Sequence, residues 1–263
     1  MTSPIQLSQQ ILSAILQGPL FLSELPEAQV FDRSDLASPS SATILNTGQK
    51  LGHLYEEALA SLLTACPRYD LLEKGLQLQR DKHQTVGELD FLFRDLQTGR
   101  LTHLELAVKF YLALETEEGL LLPGPNSRDN YFNKLDRLRS HQLTLVERFR
   151  DLLPSPYREE EIDTQHLVIG CLFDHLDSPT LAEPEFIHPE VRRGKWLHQH
   201  EFRDRFTETA YIIPKPLWPC PLESAEHLNP LDLNEPLTRC TMVYLDSSPH
   251  PFFIAPDEYP AQS

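Results

Sequence analysis

The chain has 263 residues, with 23 Lys+Arg against 39 Asp+Glu and a formal net charge of -16, a balance that excludes a basic nucleic-acid coat protein. Hydrophobic residues at 40% and charged residues at 24% supply enough apolar material for a sizeable core and exclude a disordered chain. The 22 Pro against 10 Gly speak for rigid, irregular connections, and no G-x-x-x-x-G-K-[ST], G-x-G-x-x-G or G-x-S-x-G string is present, which removes the common nucleotide-binding and serine-hydrolase fingerprints.

In chain order, Ser3 as N-cap, Pro4 at the first helical position and Ile5, Ile11, Leu12, Ile15 and Leu16 at helical spacing predict a helix that Gly18-Pro19 stops. The stretch Met1 to Gly18 has no Lys or Arg and no cleavable apolar region, and no apolar run in the chain approaches the ~18 residues needed to span a bilayer. The expectation is a cytoplasmic chain with no membrane contact. Residues 32–50 read as a polar loop. Leu51, Leu54, Tyr55, Ala58, Leu59, Leu62 and Leu63 then form a 3.6-period stripe, a helix ending near Pro67. The alternating Leu76-Gln77-Leu78-Gln79, the segment Val86 to Arg94, a turn around Leu96-Gln97-Thr98-Gly99 and the segment Leu101 to Phe110 predict a three-stranded meander.

After a loop with Gly119, Gly124, Pro125 and Asn126, residues 129–150 predict one long helix with Tyr131, Leu135, Leu138, Leu145 and Phe149 on one face. Leu167 to Phe173 is a continuous apolar run of strand length, as in a strand covered on both faces. Cys171 lies within it as a small hydrophobe, and all four cysteines (Cys66, Cys171, Cys220, Cys240) read as reduced and structural. Farther on, Glu190 to Thr207 reads as helical, Ala210 to Ile213 and Cys240 to Leu245 as strands, and Pro214 to Pro236 as irregular. The organisation expected is an N-terminal helix and loop over 1–50, an α/β core over 51–175 ordered helix, three strands, helix, strand, and a C-terminal elaboration of the same domain over 176–263.

The hairpin can be registered from its own pattern. Leu89, Phe91 and Phe93 form one face of the first strand, opposite Glu88, Asp90, Leu92 and Arg94; in the second, Leu104, Leu106, Val108 and Phe110 oppose His103, Glu105, Ala107 and Lys109. Matching the faces across a short turn pairs Arg94 with Leu101 and Asp90 with Glu105. Directly opposed residues have Cβ atoms ~5 Å apart, and like charges in that position destabilise a sheet. Either water screens them on an exposed face, or they share a proton, or they bind a hard cation such as Mg2+. Glu56 stands beside the stripe of the preceding helix, and Gln142 stands on the stripe of the following one, so both can be brought over that face.

The element order, with Leu51-Gly52-His53-Leu54-Tyr55-Glu56, Gly87-Glu88-Leu89-Asp90-Phe91-Leu92 and Leu104-Glu105-Leu106-Ala107-Val108-Lys109, resembles the PD-(D/E)XK nuclease-like superfamily over residues 50–173. More narrowly, Glu105 to Phe110, Gly124-Pro125-Asn126 with Asp129, Lys134 to Leu138 leading to His141-Gln142-Leu143, Gly194-Lys195-Trp196 and Lys215 to Trp218 look like an uncharacterised bacterial domain-of-unknown-function family placed in that superfamily. The resemblance implies an αβββαβ restriction-endonuclease-like core. It also implies a Mg2+ or Mn2+ site on Asp90, Glu105 and Glu56, and hydrolysis of DNA or RNA phosphodiesters with Lys109, Gln142 and Lys134 as further site residues. The superfamily lysine normally follows the Glu by two residues, where this chain has Ala107; Lys109 must reach back along the strand, or Lys134 supplies the cation. This departure supports a competing reading, an inactive nuclease fold that binds a nucleic acid or a protein partner. Basic groups expected to help a polyanion approach are Lys134, Arg137, Arg139, Arg148 and Arg150, and Arg192, Arg193 and Lys195; their bland alternative is a solvated mixed-charge surface. His198 and His200, two residues apart on an expected helix, do not face one another and read as packing or surface residues.

Overall fold

The computed structural model describes residues 3–37, 43–82 and 84–260; residues 38–42, within the loop expected over 32–50, and Met1 and Thr2 lie outside the described residues. Helix α1 (Pro4–Gln17) starts at a reciprocal capping box, in which the Ser3 hydroxyl accepts the Gln6 N–H at 3.2 Å and the Gln6 side chain accepts the Ser3 N–H at 3.0 Å. It ends at Gly18, where a Cβ would lie 2.3 Å from the Ala14 carbonyl oxygen. After a two-residue strand β1 (Gln29–Val30), helix α2 (Leu51–Ala65) begins at Lys50 with no side-chain cap. Its stripe Leu54, Tyr55, Ala58, Leu59, Leu62 and Leu63 is completely buried, so packing at about 1.5–3 kcal/mol per large side chain supports it instead.

The meander follows as β2 (Tyr69–Asp81), β3 (Gln84–Asp95) and β4 (Leu101–Thr116), with β5 (Gly119–Leu121) folding back on the end of β4. Next come helices α3 (Tyr131–Arg137) and α4 (Leu145–Arg148), strand β6 (Ile162–His175), strand β7 (Arg193–His198) and helix α5 (Gln199–Arg205). Strands β8 (Tyr211–Ile212), β9 (Asn229–Pro230), β10 (Thr241–Tyr244) and β11 (Phe252–Ala255) complete the described elements. One large mixed sheet runs β2-β3-β4-β6-β7-β11-β10-β8-β9, mostly antiparallel in its pairings, with β4–β6, β6–β7, β7–β11 and β1–β6 parallel. It continues unbroken from the meander into the segment after 175.

The sheet separates two apolar layers. On one side Phe91, Phe93, Leu104, Phe110, Leu167 and Ile169 pack with α1 and α2; on the other Tyr111, Ala113, Val168 and Leu172 pack with Phe21, Tyr131 and Leu138. Strand β6 feeds both layers, which is why its sequence is apolar at every position from Leu167 to Phe173 except Gly170. All four cysteines are free and buried. Among the described residues no helix is long and apolar enough to cross a membrane.

Two expectations need correction here. The long helix over 129–150 is broken: a π-helical turn at Leu138–Gln142, closed by the Leu143 N–H donating to the Leu138 carbonyl, separates α3 from α4. The extra residue per turn rotates the apolar stripe, so Tyr131 and Leu138 join the layer over β4 while Leu145 and Phe149 pack with Leu78 and Leu89. The region 190–207 is strand before it is helix, because Arg193 to His198 pairs with β6 on one edge and β11 on the other. Strands β1 and β11 carry no periodic signal long enough to be read; β1 is set by parallel β6, and β11 by parallel β7 on one edge and antiparallel β10 on the other.

Candidate functional site

The turn between β3 and β4 fixes the register. Asp95 accepts the Gln97 N–H at 2.8 Å, and the strands pair from Arg94↔Leu101 to Phe91↔Leu104, the register that the alternation predicts. One step further would set Asp90 opposite Glu105, but the backbone pairing stops short of it. There the Asp90 carboxylate takes over, its Oδ2 accepting the Leu106 N–H at 2.9 Å. The other edge of β3 is also disturbed at this point. Gly75 of β2 lies between the pairs Lys74↔Phe91 and Leu76↔Leu89, across from Asp90, with φ +65° that only glycine adopts readily. Leu89 packs with Leu78, Leu145, Val146 and Leu153, away from the layer of Phe91 and Phe93, which corrects the expectation that the three share a face.

Asp90 therefore occupies the point where the sheet opens. Burial first, and the Glu105 charge second, push its carboxyl up to about 8 against the pull of the Leu106 N–H; Glu56 and Glu88 add to the rise. Glu105 is 2% exposed, and both its oxygens are engaged: His103 Nε2 lies 2.8 Å from Oε1, and the Gln142 amide donates to Oε2 at 2.8 Å. The π-helical turn brings Gln142 to this position. Across the parallel ladder from Glu105 stands His166, fully buried, with no well-formed hydrogen bond at either ring nitrogen. Burial pushes it down to about 4, outweighing the Ser23 backbone that favours its charged form.

Lys109 shares the Glu105 face, two strand repeats on. Its parallel partner is Gly170, φ +152°, where a Cβ would lie 1.7 Å from the Lys109 carbonyl oxygen, so only glycine lets β6 approach β4 here. The Lys109 ammonium pairs with Asp129 at 3.9 Å, and Lys134 approaches the same carboxylate at 3.6 Å. Burial pushes Lys109 down from the usual lysine range, Asp129 opposes the shift, and Lys134 and Arg137 reinforce it. Asp129 is held by a tight loop, with the Gly124 N–H donating to its carbonyl and its own N–H donating to the Asn126 side chain. Glu56, on the first turns of α2, has Oε2 3.2 Å from His53 Nδ1.

Asp90, Glu105, Lys109, Glu56, Gln142 and Lys134 all line one cleft of about 280 Å³, floored by Leu106, Ala107 and Val108. Its two ends differ chemically, carboxylates at one and lysines at the other. Among the described residues no group of three His, Cys, Asp or Glu side chains comes together closely enough to hold a metal ion. Two residues that the sequence reading quoted without a site role belong here: His103, on the Glu105 face of its strand, and Asp129, quoted with Gly124-Pro125-Asn126. The basic groups divide. Arg139 forks onto Glu27, Arg148 and Arg150 donate to backbone carbonyls, Arg192 donates to the Trp218 carbonyl, and Arg193 pairs with Asp174, whereas Lys134 lines the cleft and the Arg137 charge acts on Lys109. His198 and His200 do face one another, rings stacked at 5.8 Å, because His198 caps α5 rather than lying within it; their Nδ1 atoms are engaged by the Pro256 carbonyl and Asp257.

Fold and site together define a mixed α/β protein with a carboxylate pair, Glu105 buried and Asp90 half-buried, and a lysine pair in one cleft. Residues 12–247 match the family model described as "Domain of unknown function (DUF1853)", and the chain belongs to that family. No curated protein and no solved structure matches it.

Proposed function

We propose that the chain is a PD-(D/E)XK-type phosphodiesterase with a restriction-endonuclease-like αβββαβ core, cutting DNA or RNA with Mg2+ or Mn2+. The observation that carries the reading is the convergence of Asp90 and Glu105 where β3 and β4 part, since a carboxyl kept up to about 8 by burial and a neighbouring carboxylate is a costly arrangement for a merely structural sheet. The donor set fits a hard cation. Magnesium keeps several waters and needs only one or two protein carboxylates, and Glu105 retains lone pairs beyond those used by His103 and Gln142. Asp90 and Glu105 would hold the ion, with Glu56 adding negative charge nearby. When bound, it supplies polarisation of the phosphoryl oxygen and a lowered pKa for its water.

The rest falls to the chain's own groups. Gln142 and His103 fix the Glu105 carboxylate in one orientation, and the Leu106 N–H fixes Asp90, so neither reorganises as charge develops. Lys109 and Lys134 offset the substrate's negative charge, which an acidic chain otherwise repels. A second reading, an inactive member of the fold that binds a nucleic acid or protein partner, is favoured by Ala107 in the usual lysine position and by the pairing of Lys109 with Asp129. The deciding experiment presents single-stranded, duplex and branched DNA, and RNA, with Mg2+ and with Mn2+. Cleavage that Asp90→Asn and Glu105→Gln abolish supports the enzyme; binding without cleavage of any of them replaces it with the second reading.

A further inference from the structure

We infer that the lysine end of the cleft is a subsite for the terminal phosphate of a nucleic-acid strand, so that the substrate is engaged at its end; this rests on the reading of the carboxylate end as the cutting site. Three observations carry it. First, both ammonium groups pair with Asp129, and among the described residues neither forms an ion pair with Asp90 or Glu105, so this end is chemically separate from the carboxylate pair. Glu105 and Lys109 are four strand residues apart, about 13 Å along β4. Secondly, the charges do not cancel. Lys109 and Lys134 share the one carboxylate of Asp129, and Arg137 is close enough to act on Lys109, so cations outnumber anions at this end in a chain of net charge -16. A terminal phosphomonoester carries about -1.5 to -2 at neutral pH and matches that excess, whereas an internal phosphodiester carries a single charge.

Thirdly, the cleft is small for its polarity. About 280 Å³ lies at the lower limit of small-ligand site volumes, room for a phosphate and the sugar that carries it. Asp129 holds the two lysines together and offsets part of their charge. The loop that carries it is fixed through backbone groups, so Asp129→Asn removes the charge while leaving the loop's hydrogen bonds in place.

The test is binding of a dinucleotide with and without a terminal phosphate, followed by NMR titration in EDTA so that no cleavage intervenes. The terminal phosphate is expected to tighten binding to the wild-type protein about tenfold. Lys134→Ala and Lys109→Met, the latter keeping the buried apolar stem, should each lose most of that gain, and Asp129→Asn should enlarge it severalfold. Equal affinity for the two dinucleotides, or a gain that survives both lysine changes, overturns the subsite. Because no metal is present, the result is separable from the nuclease reading: cleavage without the phosphate gain sinks the subsite alone, and the phosphate gain without any cleavage keeps the subsite while removing the enzyme.

Discussion

The two edges of β4 are built in opposite ways. Toward β6 it pairs continuously, from Leu101↔Ile162 to Ala113↔Asp174; toward β3 the ladder covers only Phe91 to Arg94 and then gives way to the Asp90 carboxylate. The closed edge fixes Glu105 and Lys109 on one face at a set spacing. The open edge provides the space and the buried charge. A polar cleft in the middle of a large sheet needs both, because backbone groups released from a ladder must find other partners, and Asp90 supplies one for Leu106.

Breaking the closed edge should have the largest effect. Gly170→Ala drives a Cβ into the Lys109 carbonyl at a φ that L-residues avoid, and is expected to cost at least ~4 kcal/mol or prevent folding. Denaturant unfolding checks this, and a variant within 1 kcal/mol of wild type would show that β4 and β6 are not locked there.

Relaxing the open edge should do the reverse. An unfolded Asp loses its proton near 3.9, whereas Asp90 in the folded chain keeps it up to about 8, so the folded state binds the extra proton between those values. Stability is then fully present below about pH 4 and declines as pH rises through about 8. Asp90→Asn keeps an acceptor for the Leu106 N–H and removes the penalty. In EDTA it should melt about 5 °C above wild type at pH 8 and close to it at pH 4. A variant that melts lower at pH 8 contradicts a strained carboxylate pair. Gln142→Ala should have a smaller effect, removing one donor from the buried Glu105 at a cost of about 1–2 kcal/mol, read in the same melts.

Part of each edge was legible. Period-two alternation and a short turn suffice to pair Arg94 with Leu101, and the unbroken apolar run from Leu167 announces a strand buried on both faces. The bend at Asp90 was not visible. It lies opposite Gly75, a positive-φ glycine of the neighbouring strand whose partner is settled only when the hairpin closes. Likewise the π-helical turn that presents Gln142 leaves intact a sequence periodicity compatible with one continuous helix, and β7 was mistaken for helix because its pairing with β11 joins segments some fifty residues apart. The candidate residues were identified from parity and resemblance, but the roles of His103 and Asp129 emerge only from three-dimensional neighbours.

The central claim is that the opened edge at Asp90 is a cation site, and a Mg2+ titration at pH 8 tests it most directly. Wild type, Asp90→Asn and Glu105→Gln are compared by calorimetry, each first shown to be folded by circular dichroism. The account predicts a single Mg2+ site in wild type that either substitution weakens at least tenfold. Equal Mg2+ affinity in all three proteins, or none in wild type, would contradict it.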